Sequence, residues 1–359
     1  MAPKGTKKKK QRRKQKQNAA KKNTCDSNFF TQAGPGCHIV RFKSDSKKSC
    51  HCENHLNNSD NTEIIEWDQE IHKEDYEGDE VTDLVVDPEE KTLTLCNIDQ
   101  YTKVAYITIF EADCYGKHHK KFSPGTTTDN DGNTFSCVTF IVLSPPMTFC
   151  TLCEIDLQDI TNVRLESDVQ EWTIHPNPEL KYVTPLQGFP LLGGPFLCTQ
   201  GIGGHLTHYF LGNLHAIDFR CEVCTPLLAV EDGIVAEVID GNTLSGIAVS
   251  NLFKWNSILI RHEVESDDPI YTEYVHIQSA HVQKGDKVMK GDIIGLSGSI
   301  GFSPEPHLHF AVYRSNDVYA PTVGFYFKGT NGQVYQPVAG KYYSANGSCN
   351  INKSYLIPG

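Results

Sequence analysis

The tripeptide His307-Leu308-His309 constrains the fold of this chain more than any other short segment. Successive side chains of a β-strand point to opposite faces, so residues i and i+2 share a face. In an extended segment both imidazoles therefore point to one side, while Leu308 and Phe310 point the other way, into a core. Imidazole is a common metal ligand and titrates near neutrality. The pattern predicts a strand with one apolar face and one chemically active face.

Further candidate site residues precede this tripeptide. Tyr274 and His276 repeat the i, i+2 spacing, which predicts that the aromatic ring and the imidazole share a face. Asp218 interrupts a short apolar run, and His208 lies ten residues before it. Three protein ligands and one open position form the usual catalytic zinc site. These residues favour His208, Asp218 and His309 as the ligands of one zinc ion per chain.

At these residues the chain resembles a known family. The stretch from about residue 201 to residue 310, roughly a third of the chain, is similar to the lysostaphin/LytM-type zinc endopeptidases (duplicated hybrid motif), which cut peptide cross-links in bacterial cell walls. The matching segments are, in order, His208 and residues 216–219, 225–235, 256–262, 274–276, 282–295 and 307–309. Their common order makes the resemblance specific, since each segment alone is a weak signal.

The resemblance assigns roles to these positions. It implies that His208, Asp218 and His309 bind zinc, and that His276 and His307 are catalytic residues acting on the water and the transition state. We expect Tyr274 to support the site by packing or hydrogen bonding nearby.

The first metal ligand departs from the common family pattern. The family often has a histidine four residues before the aspartate, where this chain has Leu214. His208 would then act from a longer loop before the aspartate strand. His215 is an alternative first ligand, although its odd offset from Asp218 places it on the opposite face of an extended segment. His205 is a further alternative.

Length and patterning predict a mainly β protein with more than one domain. The 359 residues are enough for two domains and tails. The sequence contains no run of 18 apolar residues, so no membrane span is expected. Residues 92–95, 104–110 and 136–142 are rich in β-branched and aromatic side chains, which favours strands. We predict a basic disordered tail (1–24), a Cys-containing acidic linker (25–79), a small antiparallel β-sandwich-like domain (80–172), a LytM-type metallopeptidase domain with an antiparallel barrel-like sheet and a zinc groove (173–345), and a C-terminal tail (346–359).

The charge is distributed unevenly. Residues 4–22 carry eleven Lys and Arg and no acid, whereas the rest of the chain carries the other 22 basic residues against 44 acidic ones. Such a basic low-complexity stretch predicts disorder and suits an anionic partner. It lacks the apolar segment of a secretory signal, so the expected location is intracellular by default, with unconventional secretion as the alternative.

The thirteen cysteines leave several interpretations open. The pairs Cys150/Cys153 and Cys221/Cys224 could share a structural zinc or form disulfides, and free thiols are the third alternative. Cys37-His38 with residues 50–55 could form a small second metal site, although their spacing fits no standard zinc finger.

Together these features predict a zinc-dependent metalloendopeptidase that hydrolyses short peptide cross-links of bacterial peptidoglycan. Two alternatives belong to other classes. One is a catalytically inactive LytM-like binding or regulatory module, which loss of the first ligand at Leu214 would favour. The other is a nucleic-acid-associated protein acting through the basic tail.

Overall fold

The computed structural model describes residues 34–40, 83–157, 162–172, 183, 185–204, 206–208, 210, 212–263 and 269–349. Within these ranges the chain is almost entirely β, as predicted. The upstream part contains β1 (Cys37–Val40), β2 (Leu84–Asp87), β3 (Thr92–Asn97), β4 (Lys103–Phe110), β5 (Asp113–Tyr115), β6 (Gly125–Thr128), β7 (Thr134–Ser144), β8 (Thr148–Asp156) and β9 (Leu165–Glu171).

The C-terminal part contains β10 (Phe196–Gln200), β11 (Ile217–Arg220), β12 (Pro226–Leu228), β13 (Gly233–Ile239), β14 (Ser245–Gly246), β15 (Ser257–His262), β16 (Ile270–Val275), β17 (Ile277–Ala280), β18 (Lys287–Val288), β19 (Ile293–Ser297), β20 (Gly301–Phe302), β21 (His307–Tyr313), β22 (Phe327–Lys328), β23 (Val334–Tyr335), β24 (Tyr342–Ser344) and β25 (Gly347–Cys349). Short 3-10 helices lie at Lys117–His119 and Val249–Asn251.

Two sheets pack face to face in the upstream part. The smaller has the strand order β2-β3-β8-β5, and the larger has the order β20-β14-β6-β7-β4-β9. Buried apolar side chains of both sheets, such as Leu95 and Phe140, form one cluster between them. Strand β1 joins the larger sheet in parallel to β7. The two-layer arrangement agrees with the predicted sandwich, but the parallel strand departs from the predicted antiparallel pairing.

Strand β4 is buried on both faces, and this joins the upstream part to the C-terminal part. Residues 105, 107 and 109 point into the sandwich core, whereas residues 104, 106 and 110 belong to a second cluster. That second cluster also contains Leu206, Ile247 and Phe302 of the C-terminal part. A strand that is covered on both faces has a continuous apolar sequence instead of an alternating one. The apolar sequence of β4 therefore reflects an interface as well as a core.

Hydrogen bonds also link the two parts. Strand β14 pairs with β6 between Gly246 and Thr127, and β20 extends the same sheet in parallel to β14. The hydroxyl of Tyr106 donates to the carbonyl of Leu206 at 2.8 Å. The sequence boundary predicted at residues 172/173 thus falls between two parts that share a sheet.

A nine-stranded sheet forms the frame of the C-terminal part. Its strand order is β18-β13-β15-β16-β21-β11-β10-β24-β25, and it curls into a half-barrel. The three-stranded sheet β12-β19-β17 packs on one face through an apolar core that includes Phe219, Ile294 and Phe310. Because this core covers one face of the curled sheet, the opposite face can line a groove.

Some predicted segments differ from the structure, and others lie outside the described residues. Strand β25 lies within the predicted C-terminal tail and extends the nine-stranded sheet through its pairing with β24. Leu186, Phe189 and Leu191 are buried in the apolar core of the C-terminal part, so residues 185–191 contribute to that core although no strand forms there. The basic tail 1–24, and the acidic linker apart from residues 34–40, lie outside the described residues.

The described cysteines are free thiols. Cys150 and Cys153 are buried in the sandwich core, whereas Cys221 lies in the core of the C-terminal part, so the two pairs belong to different cores. Cys37 is buried in the interface cluster, and residues 50–55 of the suggested second metal site lie outside the described residues. Among the described residues we find no helix with the length and apolarity that crossing a membrane requires.

Candidate active site

Strand β21 presents its histidines on the groove face. Leu308 and Phe310 are buried in the apolar core, and the alternation of the strand directs His307 and His309 to the other side. Asp218 of β11 lies directly opposite His309 in the antiparallel register. The sheet therefore brings the carboxylate and the imidazole together although 91 residues separate them in sequence.

His208, Asp218 and His309 form one compact group. Nδ1 of His309 lies 2.9 Å from Oδ1 of Asp218, and Nε2 of His208 lies 3.3 Å from the same oxygen. The two ring nitrogens are 3.2 Å apart. All three side chains are buried. In the described part of the chain, this is the one set of three His, Cys, Asp or Glu residues whose ligand atoms lie within 4.8 Å of one another.

The hydrogen bonds of this group suit a bound cation. Nδ1 of His208 lies 2.8 Å from the carbonyl oxygen of Gly201, which only accepts, so Nδ1 carries the proton. Nε2 then directs its lone pair toward the carboxylate of Asp218. Two lone pairs that face each other in a buried site repel unless a proton or a metal ion lies between them. Burial acts to raise the pKa of Asp218, but His208 and His307 outweigh burial and hold it well below its ordinary value.

Gln200 holds both the carboxylate and the loop that carries His208, and sequence reasoning did not single it out. Its Nε2 donates to Oδ2 of Asp218 at 2.7 Å and to Oγ1 of Thr207 at 2.9 Å. Its Oε1 accepts from the backbone N–H groups of Leu206 and Thr207. Gln200 lies opposite Asp218 in the β10–β11 register. A buried amide at the end of the apolar strand β10 is the signal that could have identified it.

Replacing Gln200 by alanine is expected to weaken metal binding by about 10- to 100-fold, as loss of a side chain that orients a ligand typically does. The reason is that Asp218 and the His208 loop lose their shared partner. A competition titration with a chromophoric chelator measures the change. Gln278→Ala, at an exposed position, is the matched control. Equal metal affinity in both variants would contradict the positioning role of Gln200.

The alternative first ligands have different outcomes. The backbone N–H of His215 donates to Oγ1 of Thr322 at 3.0 Å, and its Nδ1 lies 3.3 Å from the same oxygen. His215 does not belong to the group formed by His208, Asp218 and His309. Burial lowers the pKa of His215. His205 lies outside the described residues. Of the two described candidates, His208 is the one that lies beside Asp218 and His309.

His276 and His307 lie side by side next to this group, with ring centroids 4.5 Å apart. Nδ1 of His276 lies 2.7 Å from the carbonyl of Ile300, and Nδ1 of His307 lies 2.8 Å from the carbonyl of Glu305. Each Nδ1 therefore carries a proton, and each neutral ring offers a lone pair at Nε2. Burial, reinforced by His307 and His309, lowers the pKa of His276 well below its ordinary value. A neutral imidazole with this tautomer can accept a proton at Nε2.

The prediction that Tyr274 and His276 share a face is wrong. Tyr274 is buried in the apolar core, where its hydroxyl accepts a hydrogen bond from the backbone N–H of Val230 at 3.0 Å. Strand β16 ends at Val275, and His276 has a left-handed φ of 65°. This conformation interrupts the strand alternation and turns the imidazole to the groove face. Tyr274 thus packs and hydrogen-bonds, as expected, but on the side of the sheet away from His208, Asp218 and His309.

Residues 212–321 match the profile of Peptidase family M23. The chain contains an M23 peptidase domain. Asp218, His276, His307 and His309 lie inside the matched segment, whereas His208 and Gln200 lie before it. The upstream sandwich also lies outside the match.

Individual relatives of the M23 domain include named peptidases. Glycyl-glycine endopeptidase ALE-1 of Staphylococcus capitis is 38% identical over 99 residues, which are 28% of this chain and 24% of that protein. Peptidoglycan DD-endopeptidase ShyC of Vibrio cholerae serotype O1 is 32% identical over 93 residues, 26% of this chain and 18% of that protein. This chain thus spans about a quarter or less of the length of these curated relatives. Among solved structures, the catalytic domain of the antimicrobial peptidase lysostaphin from Staphylococcus simulans matches at 26% identity over 41% of this chain and 90% of that chain, with a TM-score of 0.25.

A groove of about 260 Å³ adjoins the histidines of the M23 domain. Both parts of the chain form its walls. Tyr106, Asp168 and Gln170 come from the upstream part, and Phe210, Trp255 and Tyr319 are among the residues from the C-terminal part. The upstream sandwich therefore contributes directly to the space in which a ligand would lie.

Proposed function

We propose that this chain is a zinc-dependent metalloendopeptidase that hydrolyses short peptide cross-links of bacterial peptidoglycan. The observation that carries the proposal is the buried group of His208, Asp218 and His309, faced by the Nε2 atoms of His276 and His307. Two imidazoles and one carboxylate match the ligand set of catalytic zinc sites with an open position. The M23 domain supports the reaction class, since the relatives named above are peptidases.

The group fits a zinc ion by its donor chemistry. Nε2 of His208, Nδ1 of His309 and one oxygen of Asp218 are the atoms that would hold it. When bound, zinc supplies a Lewis acid that polarises the scissile carbonyl and brings the pKa of water toward ~7. Gln200 keeps the carboxylate oriented through Oδ2 and leaves Oδ1 directed at the two imidazoles.

His276 and His307 supply the proton transfers. The backbone carbonyls of Ile300 and Glu305 fix both rings through Nδ1, so each Nε2 is held in one orientation. Nε2 of His307 lies 4.0 Å from Oδ1 of Asp218. One ring takes the proton from the attacking water and delivers it to the leaving amine. The other, when protonated at Nε2, donates a hydrogen bond to the developing oxyanion. Because neither ring has to rotate, the pair is preorganised for this exchange.

Peptidoglycan cross-links are the proposed substrate class because of the relatives and the groove. Of the relatives named above, one is a glycyl-glycine endopeptidase and one is a peptidoglycan DD-endopeptidase. The groove of about 260 Å³ beside His276 and His309 is the space in which such a peptide would lie.

Purified full-length protein should release new amino groups from isolated peptidoglycan. Activity should disappear with a zinc chelator and return when zinc is added back in slight excess. Peptide fragments are followed by mass spectrometry and amino groups by dye labelling. Zinc-loaded protein that releases no fragment from any peptidoglycan type or cross-link peptide would refute the proposed function.

The catalytically inactive module is not favoured. That alternative requires the first ligand to be lost at Leu214, whereas His208 lies 3.3 Å from Asp218 and offers a ligand from the preceding loop. The basic tail, on which the nucleic-acid alternative depends, lies outside the described residues.

A further inference from the structure

A buried carboxyl group lines the groove next to the candidate active site. Glu273 lies on β16 and is only 2% exposed, yet its side chain faces the groove. The hydroxyl of Tyr313 lies 3.0 Å from Oε2 of Glu273. The second oxygen, Oε1, is buried and makes no hydrogen bond of normal geometry, while the side chains of Ser257 and Trp255 lie near enough to lower the pKa of Glu273. A buried acceptor without a well-formed hydrogen bond is unfavourable, which favours a ligand or water at this oxygen.

The protein itself supplies no counter-ion for this group. Among the described residues no Lys or Arg forms an ion pair with Glu273, and a charged neighbour that raises its pKa is another carboxylate, Glu237. Burial is the largest cause that raises the pKa of Glu273, to about 7. A second carboxylate, Asp168 of the upstream sheet, lines the same groove. Among the residues that line the groove, Glu273 and Asp168 are acidic and none is Lys or Arg.

Aromatic side chains form the wall around this carboxyl group. Trp255 and Tyr319 both line the groove, with ring centroids 6.4 Å apart. Phe253 packs against Trp255 at 6.2 Å. Aromatic faces attract cations through the ring quadrupole, and the attraction grows when the cation is desolvated. A carboxylate in a groove that aromatic rings also line is thus suited to a small organic cation.

The second oxygen of Glu273 selects among cations. A guanidinium binds a carboxylate best through two parallel hydrogen bonds, which use both oxygens. Tyr313 already contacts one oxygen, so only Oε1 is available. An ammonium group is a compact point charge that can donate to a single oxygen and place its remaining surface against aromatic rings. The geometry therefore favours a primary ammonium over a guanidinium.

The register of the sheet sets the distance from the reacting bond. Val275 lies opposite His309, and Glu273 lies opposite Ala311, two residues further along both strands. A strand rises by about 3.4 Å per residue, so Glu273 lies about 7 Å along the groove from the level of His309. An extended substrate peptide covers that distance with two residues.

We propose that Glu273, with Trp255 and Tyr319, forms a subsite that binds a primary ammonium group of the substrate about two residues from the scissile bond. The proposal builds on the proposed peptidase function, since it names a feature of the substrate of that site. The ammonium belongs either to an amino-acid side chain or to the free amino terminus of a short peptide.

The test is direct binding of a small probe to the full-length, zinc-loaded protein. n-Pentylamine, protonated at pH 7, is compared with uncharged n-pentanol of the same length by NMR titration. We expect the wild type to bind the amine, and Glu273→Gln to bind it at least about tenfold more weakly, because a charge-assisted hydrogen bond is lost. Glu237→Gln changes the same charge at an exposed position two strands away, on β13, and is expected to behave as the wild type.

A second measurement needs no change at Glu273. The indole N–H signal of Trp255, identified by its absence in Trp255→Phe, should shift with n-pentylamine and not with n-pentanol. Equal binding of amine and alcohol, an unmoved Trp255 signal, or undiminished amine binding in folded Glu273→Gln would each overturn the proposal. Undiminished amine binding in Glu273→Gln is also the result expected if the amine binds the zinc ion rather than Glu273.

Parallel peptidoglycan assays separate this proposal from the peptidase function. Amine binding that depends on Glu273, without hydrolysis of any substrate, would support the ammonium subsite and contradict the peptidase. Hydrolysis by the wild type, with amine binding that does not depend on Glu273, would support the peptidase and contradict the subsite.

Discussion

Asp218→Ala is expected to reduce the zinc content of the purified protein from about one ion per chain to nearly none. Asp218 contributes the oxygen that lies between His208 and His309, at 3.3 and 2.9 Å from their ring nitrogens. Without it two imidazoles remain, and one of the three predicted protein ligands is missing. Zinc per chain is measured by inductively coupled plasma mass spectrometry after dialysis.

Hydrolysis by Asp218→Ala should fall by at least about 10³-fold, since Lewis-acid stabilisation contributes several kcal/mol. Asp131→Ala, on an exposed loop of the sandwich, is the matched control and should keep both zinc and activity. The control is needed because the thirteen cysteines could bind zinc elsewhere. Zinc content that is equal in Asp218→Ala and in the wild type would place the ion at another site.

His276→Ala and His307→Ala are each expected to lower the rate of hydrolysis by about 10²- to 10⁴-fold, the usual contribution of a positioned acid or base. Zinc content should stay near that of the wild type, because neither residue belongs to the group of His208, Asp218 and His309. The double variant should lose less than the product of the two single effects, since the two rings act as a unit.

Initial rates at saturating substrate, together with zinc per chain, test this pair. His281→Ala removes an exposed imidazole from the same domain and should leave the rate unchanged. If either variant kept the full rate of hydrolysis, that histidine would have no role in proton transfer. If either variant lost its zinc, its role would be structural and not catalytic.

Local patterns predicted the features that depend on strand geometry alone. The alternation of His307, Leu308, His309 and Phe310 follows from the two-residue period of an extended backbone, and the structure has the same faces. The same rule failed for Tyr274 and His276, because the left-handed φ of His276 breaks the strand between them. Periodicity assumes a regular backbone, and a single residue in another conformation invalidates it.

Long-range contacts place one of the candidates for the first metal ligand, His208, beside Asp218. The sequence left His208, His215 and His205 open, since spacing cannot determine the path of a loop. The structure places His208 beside Asp218 through its hydrogen bond to Gly201 and through Gln200, which anchors the loop backbone. These contacts depend on the pairing of β10 with β11, which no local pattern encodes.

The sequence by itself determined the mainly β fold, the M23-type motifs and the shared strand face of His307 and His309, because each depends on a local pattern or on segments in a fixed order. Only the tertiary structure decided that the upstream sandwich shares a sheet with the M23 domain, and that Tyr106 and Asp168 help to wall the groove. It also revealed the buried carboxyl oxygen of Glu273 that makes no hydrogen bond of normal geometry. Burial and hydrogen bonding between residues about 100 positions apart arise from tertiary packing. Local sequence patterns do not show which distant segments will pack together.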